Sequence, residues 1–331
     1  MKKNCPYCHT ESPLYFQSRD YNRNITQEIF DHYRCPQCGL IFIAPIPSNL
    51  GAYYPDIYHP IPETPASLKA ASELERYKIE IIERYISNGR LLEIGPSYGS
   101  FTYLAKKAGF EVEAIEMNAR CCQFLNEVVG VRAINSNDPV DALQHLEPYD
   151  VIALWHVIEH LPDPWSTLDA ISTKLKPGGI LVIASVNPEA FQFRIIGRRW
   201  LHLDAPRHVM LIPTKLLANK LESLGMKVEM TTMTDEGTLA CNTGGWRFFF
   251  HHTCTRPYAN RTLRFISDNV MNLIGKVISF LARPIDQSDG MGSAYTMVFR
   301  KVAESNSYCS GKAIPASDIS TGRYTSSASE N

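Results

Sequence analysis

The sequence predicts an α/β fold: a doubly wound, mostly parallel sheet, with a small metal-stapled module ahead of it. Two observations carry this. From about residue 90 to 300, short apolar segments alternate with amphipathic ones, the order in which strands and covering helices build a parallel sheet. Four of the nine cysteines fall into two Cys-x-x-Cys pairs near the start of the 331-residue chain, a spacing suited to one tetrahedral ion.

The pairs are Cys5-Pro6-Tyr7-Cys8 and Cys35-Pro36-Gln37-Cys38-Gly39, with 26 residues between them. Each pair turns two sulfurs to one side. Cys5, Cys8, Cys35 and Cys38 together predict a closed zinc site with no open coordination position, so its role is structural. A redox pair would need a thioredoxin-like setting, which neither has. The module, a zinc ribbon, spans 1–47 and ends near Pro45-Ile46-Pro47. Cys121, Cys122, Cys241, Cys254 and Cys309 lack ligand spacing and read as ordinary thiols.

Residues 48–89 read as a Pro- and Tyr-rich linker and a lead-in helix around Ser67–Ile86. The main domain, 90–303, follows. Arg90–Gly95 is a strand, Ser100–Ala108 a helix closed by Gly109, Glu111–Met117 a strand and Asn118–Val129 a helix stopped by Gly130. Val131–Asn135 and Tyr149–Leu154 are strands around a helix near Asp138–Leu146. Pro164–Leu175 is a helix, Lys176-Pro177-Gly178-Gly179 a turn, and Ile180–Val186 an apolar run expected of a strand covered on both faces. The helix Thr214–Leu224 and the strands Met226–Thr232 and Ala294–Arg300 complete the set, with an insert over 234–290. The tail, 304–331, is rich in Ser, Thr, Ala and Gly and reads as disordered.

Lys plus Arg number 33 and Asp plus Glu 34, a net charge of −1, which makes a nucleic-acid partner unlikely by composition. The apolar stretches are too short to span a bilayer, and Met-Lys-Lys-Asn-Cys-Pro is not followed by the apolar run of a signal peptide. The expected location is the cytoplasm.

Leu91-Leu92-Glu93-Ile94-Gly95-Pro96-Ser97-Tyr98-Gly99 joins the first main-domain strand to its helix. Small residues at 95, 97 and 99 let backbone approach a ligand closely. Glu116, 21 residues after Gly95, ends the next strand, where a carboxylate can accept hydrogen bonds from ribose hydroxyls. Gly-x-Gly-x-x-Gly is not met, because Ser97 and Ser100 stand at its second and third glycines. The acid at the strand end, Glu93, suits a cationic amino group and not a pyrophosphate. This resembles the first motif of class I S-adenosylmethionine-dependent methyltransferases, an acid followed by Gly-x-Gly-x-Gly, here Glu-x-Gly-x-Ser-x-Gly. The likeness extends through Tyr149-Asp150-Val151-Ile152 and the Lys-Pro-Gly-Gly turn, covering roughly residues 70–300. It implies a Rossmann-like, seven-stranded sheet and an enzyme using S-adenosyl-L-methionine. Gly95, Ser97 and Gly99 would pass its methionine portion, Glu116 its ribose, and Asn137 or Asp138 its adenine.

On the acceptor side stands Trp155-His156-Val157-Ile158-Glu159-His160-Leu161-Pro162. On one helical turn His156, Glu159 and His160 would share a face. His-x-x-Glu-His also reads as a metallopeptidase string, which the prolines at 162 and 164 argue against. Small-RNA 2′-O-methyltransferases and ubiquinone-pathway O-methyltransferases resemble this segment with Glu-x-x-Glu-His, whose side chains hold a divalent ion. Three readings stay open: a second divalent metal, with His208 of Ala205-Pro206-Arg207-His208 as a further ligand; a metal-free site with His156 or His208 as general base; or a structural tie through Glu159 and His160. The layout also resembles sugar C-methyltransferases and rRNA methyltransferases with a zinc module.

The insert holds Trp246-Arg247-Phe248-Phe249-Phe250-His251-His252 and then Arg261–Arg283, where apolar residues recur at helical spacing. It reads as a helix packed on the core, a lid or dimer surface, or a peripheral membrane contact through 246–283. The function expected is O-methylation of a small or carrier-linked metabolite. The alternatives are sugar-carbon or RNA methylation or, outside enzymes, a zinc-dependent interaction protein with a vestigial cofactor fold.

Overall fold

The computed structural model describes residues 2–54, 60–254 and 261–303, with main chain alone at 253–254 and 261–266. The expectation of a disordered tail, and Cys309 with it, lies outside the described residues.

Four strands open the chain: β1 (Lys2–Asn4), β2 (Glu11–Ser18), β3 (Phe30–Arg34) and β4 (Ile41–Ile43), each antiparallel to the next. The two Cys-x-x-Cys turns sit at the ends of this meander and are built alike. His9 N–H donates to the Cys5 carbonyl and Gly39 N–H to the Cys35 carbonyl, both at 3.0 Å. Cys5 N–H and Cys35 N–H then return to the carbonyls of Thr10 and Leu40, both at 2.9 Å. The residue after each second cysteine is left-handed, Gly39 at φ 76° and His9 at φ 59°.

The lead-in is two helices, not one. α1 (Pro65–Glu73) begins on a reciprocal Thr64–Ser67 capping box, and α2 (Arg76–Glu83) follows a break at 74–75. Then come β5 (Arg90–Ile94), α3 (Ser100–Lys107), β6 (Glu111–Glu116), α4 (Ala119–Phe124), β7 (Arg132–Asn135), α5 (Pro139–Gln144), β8 (Tyr149–Trp155) and α6 (Pro164–Lys174). α4 continues through a π-helical turn at Leu125–Val129 and stops at Gly130. Asn118, Asp138 and Asp163 cap the helices that follow them, and Pro139 and Pro164 stand first in theirs, where a missing N–H costs nothing.

The chain ends with β9 (Leu175–Val186), α7 (Phe191–Ile196), β10 (Met210–Leu211), α8 (Thr214–Ser223), β11 (Met226–Thr232), α9 (Glu236–Cys254), α10 (Arg261–Asp286) and β12 (Ala294–Lys301). The Lys-Pro-Gly-Gly segment is an excursion inside β9 and does not precede it. Pairing with β8 jumps from Tyr149–Leu175 to Val151–Ile180, so residues 176–179 face Asp150 alone.

The main sheet has seven strands in the order β11-β12-β9-β8-β5-β6-β7. The pairs from β9 to β7 are parallel, and β12 is antiparallel to both neighbours. Alternate residues feed two cores. Leu92, Ile94, Ile152, Leu154, Leu181 and Ile183 face one, and Leu91, Val151, Ala153, Val182 and Ala184 the other. The N-terminal sheet is not separate from this body. β10 adds to β4 as its fifth strand, and Cys5, Tyr33, Leu40 and Phe42 share the first core. Among the described residues, no helix is long and apolar enough to cross a membrane.

Candidate active site

The carboxyl ends of the parallel strands meet at one edge of the sheet, where such sheets bind ligands. The bend after β5 uses three left-handed residues, Gly95 at φ 71°, Ser97 at φ 56° and Gly99 at φ 83°. A Cβ on Gly95 would stand 2.6 Å from Val157 Cγ2, and one on Gly99 2.4 Å from Leu125 Cδ2. The bend is therefore closed against both the loop after β8, through Val157, and the π-helical turn that continues α4, and glycine is required at each position. Ser97 holds the same backbone region without that freedom.

Glu116, buried at the end of β6, accepts from Ser97 N–H at 2.9 Å and Asn118 N–H at 2.7 Å, one on each oxygen. The carboxylate is fixed, and each oxygen keeps a lone pair for a ribose hydroxyl. Burial raises its pKa despite these bonds. Glu93 is buried on β5 and accepts a hydrogen bond from Thr102. Burial pushes its carboxyl up to about 8, against the pull of Thr102 and Lys78, as expected for an acid awaiting a cationic partner. Ser100 Oγ and Trp155 Nε1 are buried nearby without hydrogen-bond partners. Asp138 is exposed and spends its carboxylate capping α5, and Asn137 is exposed beside it.

Behind Val157 lies the second cluster. A 3-10 turn covers Ile158–His160, with His156 outside it at φ 56°, so the shared helical face is not formed. Glu159 is fully buried. Its Oε2 accepts from Ser185 at 2.9 Å, while Oε1 lacks a well-formed hydrogen bond and lies 3.4 Å from His156 Nδ1. Burial would raise its pKa, but the close approach of His156, then of His208 and His160, holds it at about 2. His160 is lowered to about 4 by burial and by His208.

Glu159, His160 and His208 each offer a ligand atom, all within 4.8 Å of one another. His160 Nδ1 lies 3.1 Å from the Arg207 carbonyl and 2.8 Å from the Tyr54 hydroxyl, and His208 Nδ1 lies 2.9 Å from the His202 carbonyl. A carbonyl only accepts, so both rings donate there from Nδ1, and Nε2 is the nitrogen left to accept or to ligate; that of His208 lies 4.0 Å from Asp204 Oδ2. His156, about a third exposed, stands at the rim.

The loop bearing His208 is held from the N-terminal module. Arg207 is fully buried and its Nη2 donates to Asp20 at 2.6 Å and Asp204 at 2.7 Å, and its Nε to Asp204 at 2.9 Å. Although burial opposes ionisation, Arg207 keeps the Asp204 carboxyl far below the usual range. None of Thr102, Tyr54, Asp20, Asp204 or Arg207 is marked by a motif. Arg207 stands beside His208 in Ala205-Pro206-Arg207-His208 but was given no role there, and the others lie outside the strings that carry the chemistry.

At the other end of the module, Cys5 Sγ is 3.6 Å from Cys38 Sγ, and Cys8 Sγ is 3.4 Å from Cys35 Sγ. The four sulfurs lie within 4.8 Å of one another. A tetrahedron of thiolates at ~2.3 Å from zinc has edges of roughly 3.8 Å, so the cluster has about the right size.

Residues 69–230 match the family described as Methyltransferase domain. Among curated proteins, the chain is 28% identical over 175 residues to the ubiquinone biosynthesis O-methyltransferase of Bordetella bronchiseptica, covering 48% of this chain and 73% of that one. It is 29% identical over 157 residues to the enzyme of that name from Aeromonas salmonicida, covering 42% and 63%. A solved structure of a SAM-dependent methyltransferase from Archaeoglobus fulgidus is similar at 22% identity and TM-score 0.46, covering 70% of this chain and 94% of that one. The bend at 95–99, the fixed Glu116 and the sheet order agree with the family match: residues 69–230 form a methyltransferase domain.

Proposed function

We propose that the protein moves a methyl group from S-adenosylmethionine to a hydroxyl of a small or carrier-linked metabolite, in the cytoplasm. The observation that carries the oxygen assignment is the triad of Glu159, His160 and His208, whose ligand atoms lie within 4.8 Å of one another. Two imidazoles and a buried, under-bonded carboxylate oxygen form a donor set suited to a divalent transition ion. Such an ion, when bound, stabilises an alkoxide or phenolate on the acceptor.

The chain's own residues do the rest. The bend at 95–99 seats the methionine portion of the donor, Glu93 meets its amino group, Glu116 holds the ribose, and Asn137 lies toward the adenine. Asp138 serves that end through the cap of α5. His156, backed by Glu159 and open at the rim, takes the hydroxyl proton. The acceptor oxygen then attacks the methyl carbon, and the carbon–sulfur bond breaks with its electron pair left on sulfur. Aligning oxygen, methyl and sulfur is the main contribution, since the methyl is already activated. Cys5, Cys8, Cys35 and Cys38 hold zinc in a structural role.

The test is methyl transfer from labelled donor into metabolite extracts, followed by mass spectrometry of the product. Transfer to oxygen that is lost on chelation and restored by manganese supports the reading. Transfer to carbon or nitrogen, or activity indifferent to chelation and to His160→Ala, overturns it.

A further inference from the structure

We propose that the outer face of α10 docks the protein on an anionic bilayer surface. The helix packs through a mixed inner face. Ile278 and Ala282 join an apolar cluster with α7, and the contacts with α9 are small and polar. A Cβ on Gly275 would be 2.6 Å from Arg247 Cα of α9, so the two helices touch there. Arg247 donates to Asn272 at 2.7 Å, Ser279 to Thr243 at 3.2 Å, and Trp246 to Asp286 at 2.8 Å. Asn272, Gly275, Ser279 and Asp286 therefore face inward.

The opposite side carries Val270, Leu273, Val277, Phe280 and Leu281, spaced three and four apart. Phe280 is 70% exposed, Leu281 64% and Leu273 61%. Water selects polar residues on such a face, and an apolar stripe of this length marks an interaction surface.

The surrounding charge selects the occupant. α7 joins α10 in one apolar cluster through Phe193, Ile196, Ile278 and Ala282. It presents Ile195, 62% exposed, and the exposed Arg194, with Arg198 and Arg199 exposed just beyond it. Lys276 and Arg283 are exposed on α10 itself. No Asp or Glu occurs between 190 and 203 or between 270 and 285. Apolar side chains rimmed by cations fit a layer of anionic headgroups over acyl chains, each cation adding to the attraction. A second copy would bring the same cations face to face. α9 connects this surface to the acceptor loop, through the hydrogen bond from the His202 imidazole to the Cys241 carbonyl at 3.0 Å. The surface thus suits the carrier-linked acceptor proposed above, and its test stands apart from that reading.

The test is flotation of the full chain with vesicles of phosphatidylcholine alone or of equimolar phosphatidylcholine and phosphatidylglycerol, beside sedimentation velocity of the protein without lipid. The expected result is association with the anionic vesicles only, weakened by salt. Lys276→Glu/Arg283→Glu should lower it at least tenfold, as should Leu273→Ser/Phe280→Ser, with donor binding by both variants unchanged. No association of the wild type, equal association of the variants, or a dimer in solution that Leu273→Ser/Phe280→Ser dissociates would overturn the proposal. Failure of methyl transfer with vesicle binding intact would count against the acceptor assignment alone.

Discussion

Glu93 carries a definite electrostatic expectation. Its carboxyl, raised to about 8 by burial, is protonated at pH 7 in the free protein. A cationic amino group beside it favours the carboxylate, so cofactor binding releases close to one proton at pH 7. Calorimetry in buffers of different ionisation enthalpy reads this directly. Glu93→Gln abolishes the release and weakens binding by about tenfold to a hundredfold, whereas no release in the wild type would mean that the acid is already ionised. The same shift affects stability. The folded form holds a proton that the unfolded chain has lost between pH ~4.5 and ~8, so this group's contribution falls as pH rises through that window. Gly95→Ala places a methyl against Val157 in a backbone region at φ 71°, and a loss of about 1–3 kcal/mol in stability is expected, read by urea denaturation. The acid, the glycines and Glu116 were legible in the sequence because their chemistry depends on neighbours a few residues away. Thr102 was not, since only the α3 register turns it back onto Glu93.

Among the elements, β8 and the 180–186 part of β9 show how much local pattern can specify. They were readable because both faces are buried and the apolar runs are continuous. Lys176-Pro177-Gly178-Gly179 was readable as a bend but not as an excursion within β9, because strand pairing is a long-range property. The helix expected over 67–86 breaks at Leu74-Glu75, where local propensity gives no stop signal. At the far end of β6 the buried Glu113 gathers a polar cluster that no motif announces, reaching out to the largely exposed Arg132. Glu113 accepts from Arg90, Arg132 and Tyr149, each at 2.6 Å. These partners lower its pKa although burial opposes them. Its stabilising contribution is therefore present above the ordinary carboxylate pKa and is lost as pH falls below it. Glu113→Ala leaves two guanidinium groups short of a partner at the base of the sheet. A loss of about 3 kcal/mol by thermal unfolding at pH 7 is expected, shrinking toward pH 3, and a pH-independent loss would contradict the assignment.

On the scale of the whole molecule, the N-terminal module helps to hold the loop that bears His208. The buried ion pairing of Arg207 with Asp20 spans 187 positions, and β10 completes the module's own sheet. Neither was visible in the sequence, because an ion pair and a strand pairing over that separation leave no local pattern. Asp20→Ala leaves the Arg207 guanidinium under-bonded and is expected to cost about 3–5 kcal/mol. Asp20→Asn, which keeps the packing, should lower methyl transfer while leaving cofactor affinity near that of wild type, as should His208→Ala. Equal loss of cofactor binding would place these residues elsewhere in the mechanism. Removing the proposed zinc with a strong chelator should loosen β1–β4, lower the melting temperature and slow methyl transfer together.

The most direct test is a crystal structure of the protein soaked with S-adenosylhomocysteine and manganese, with anomalous data collected for the metal. The account predicts the nucleoside across residues 95–99 with its ribose hydroxyls on Glu116, and a manganese peak between Glu159, His160 and His208. A nucleoside bound elsewhere, or no peak between those three side chains at full nucleoside occupancy, would contradict it.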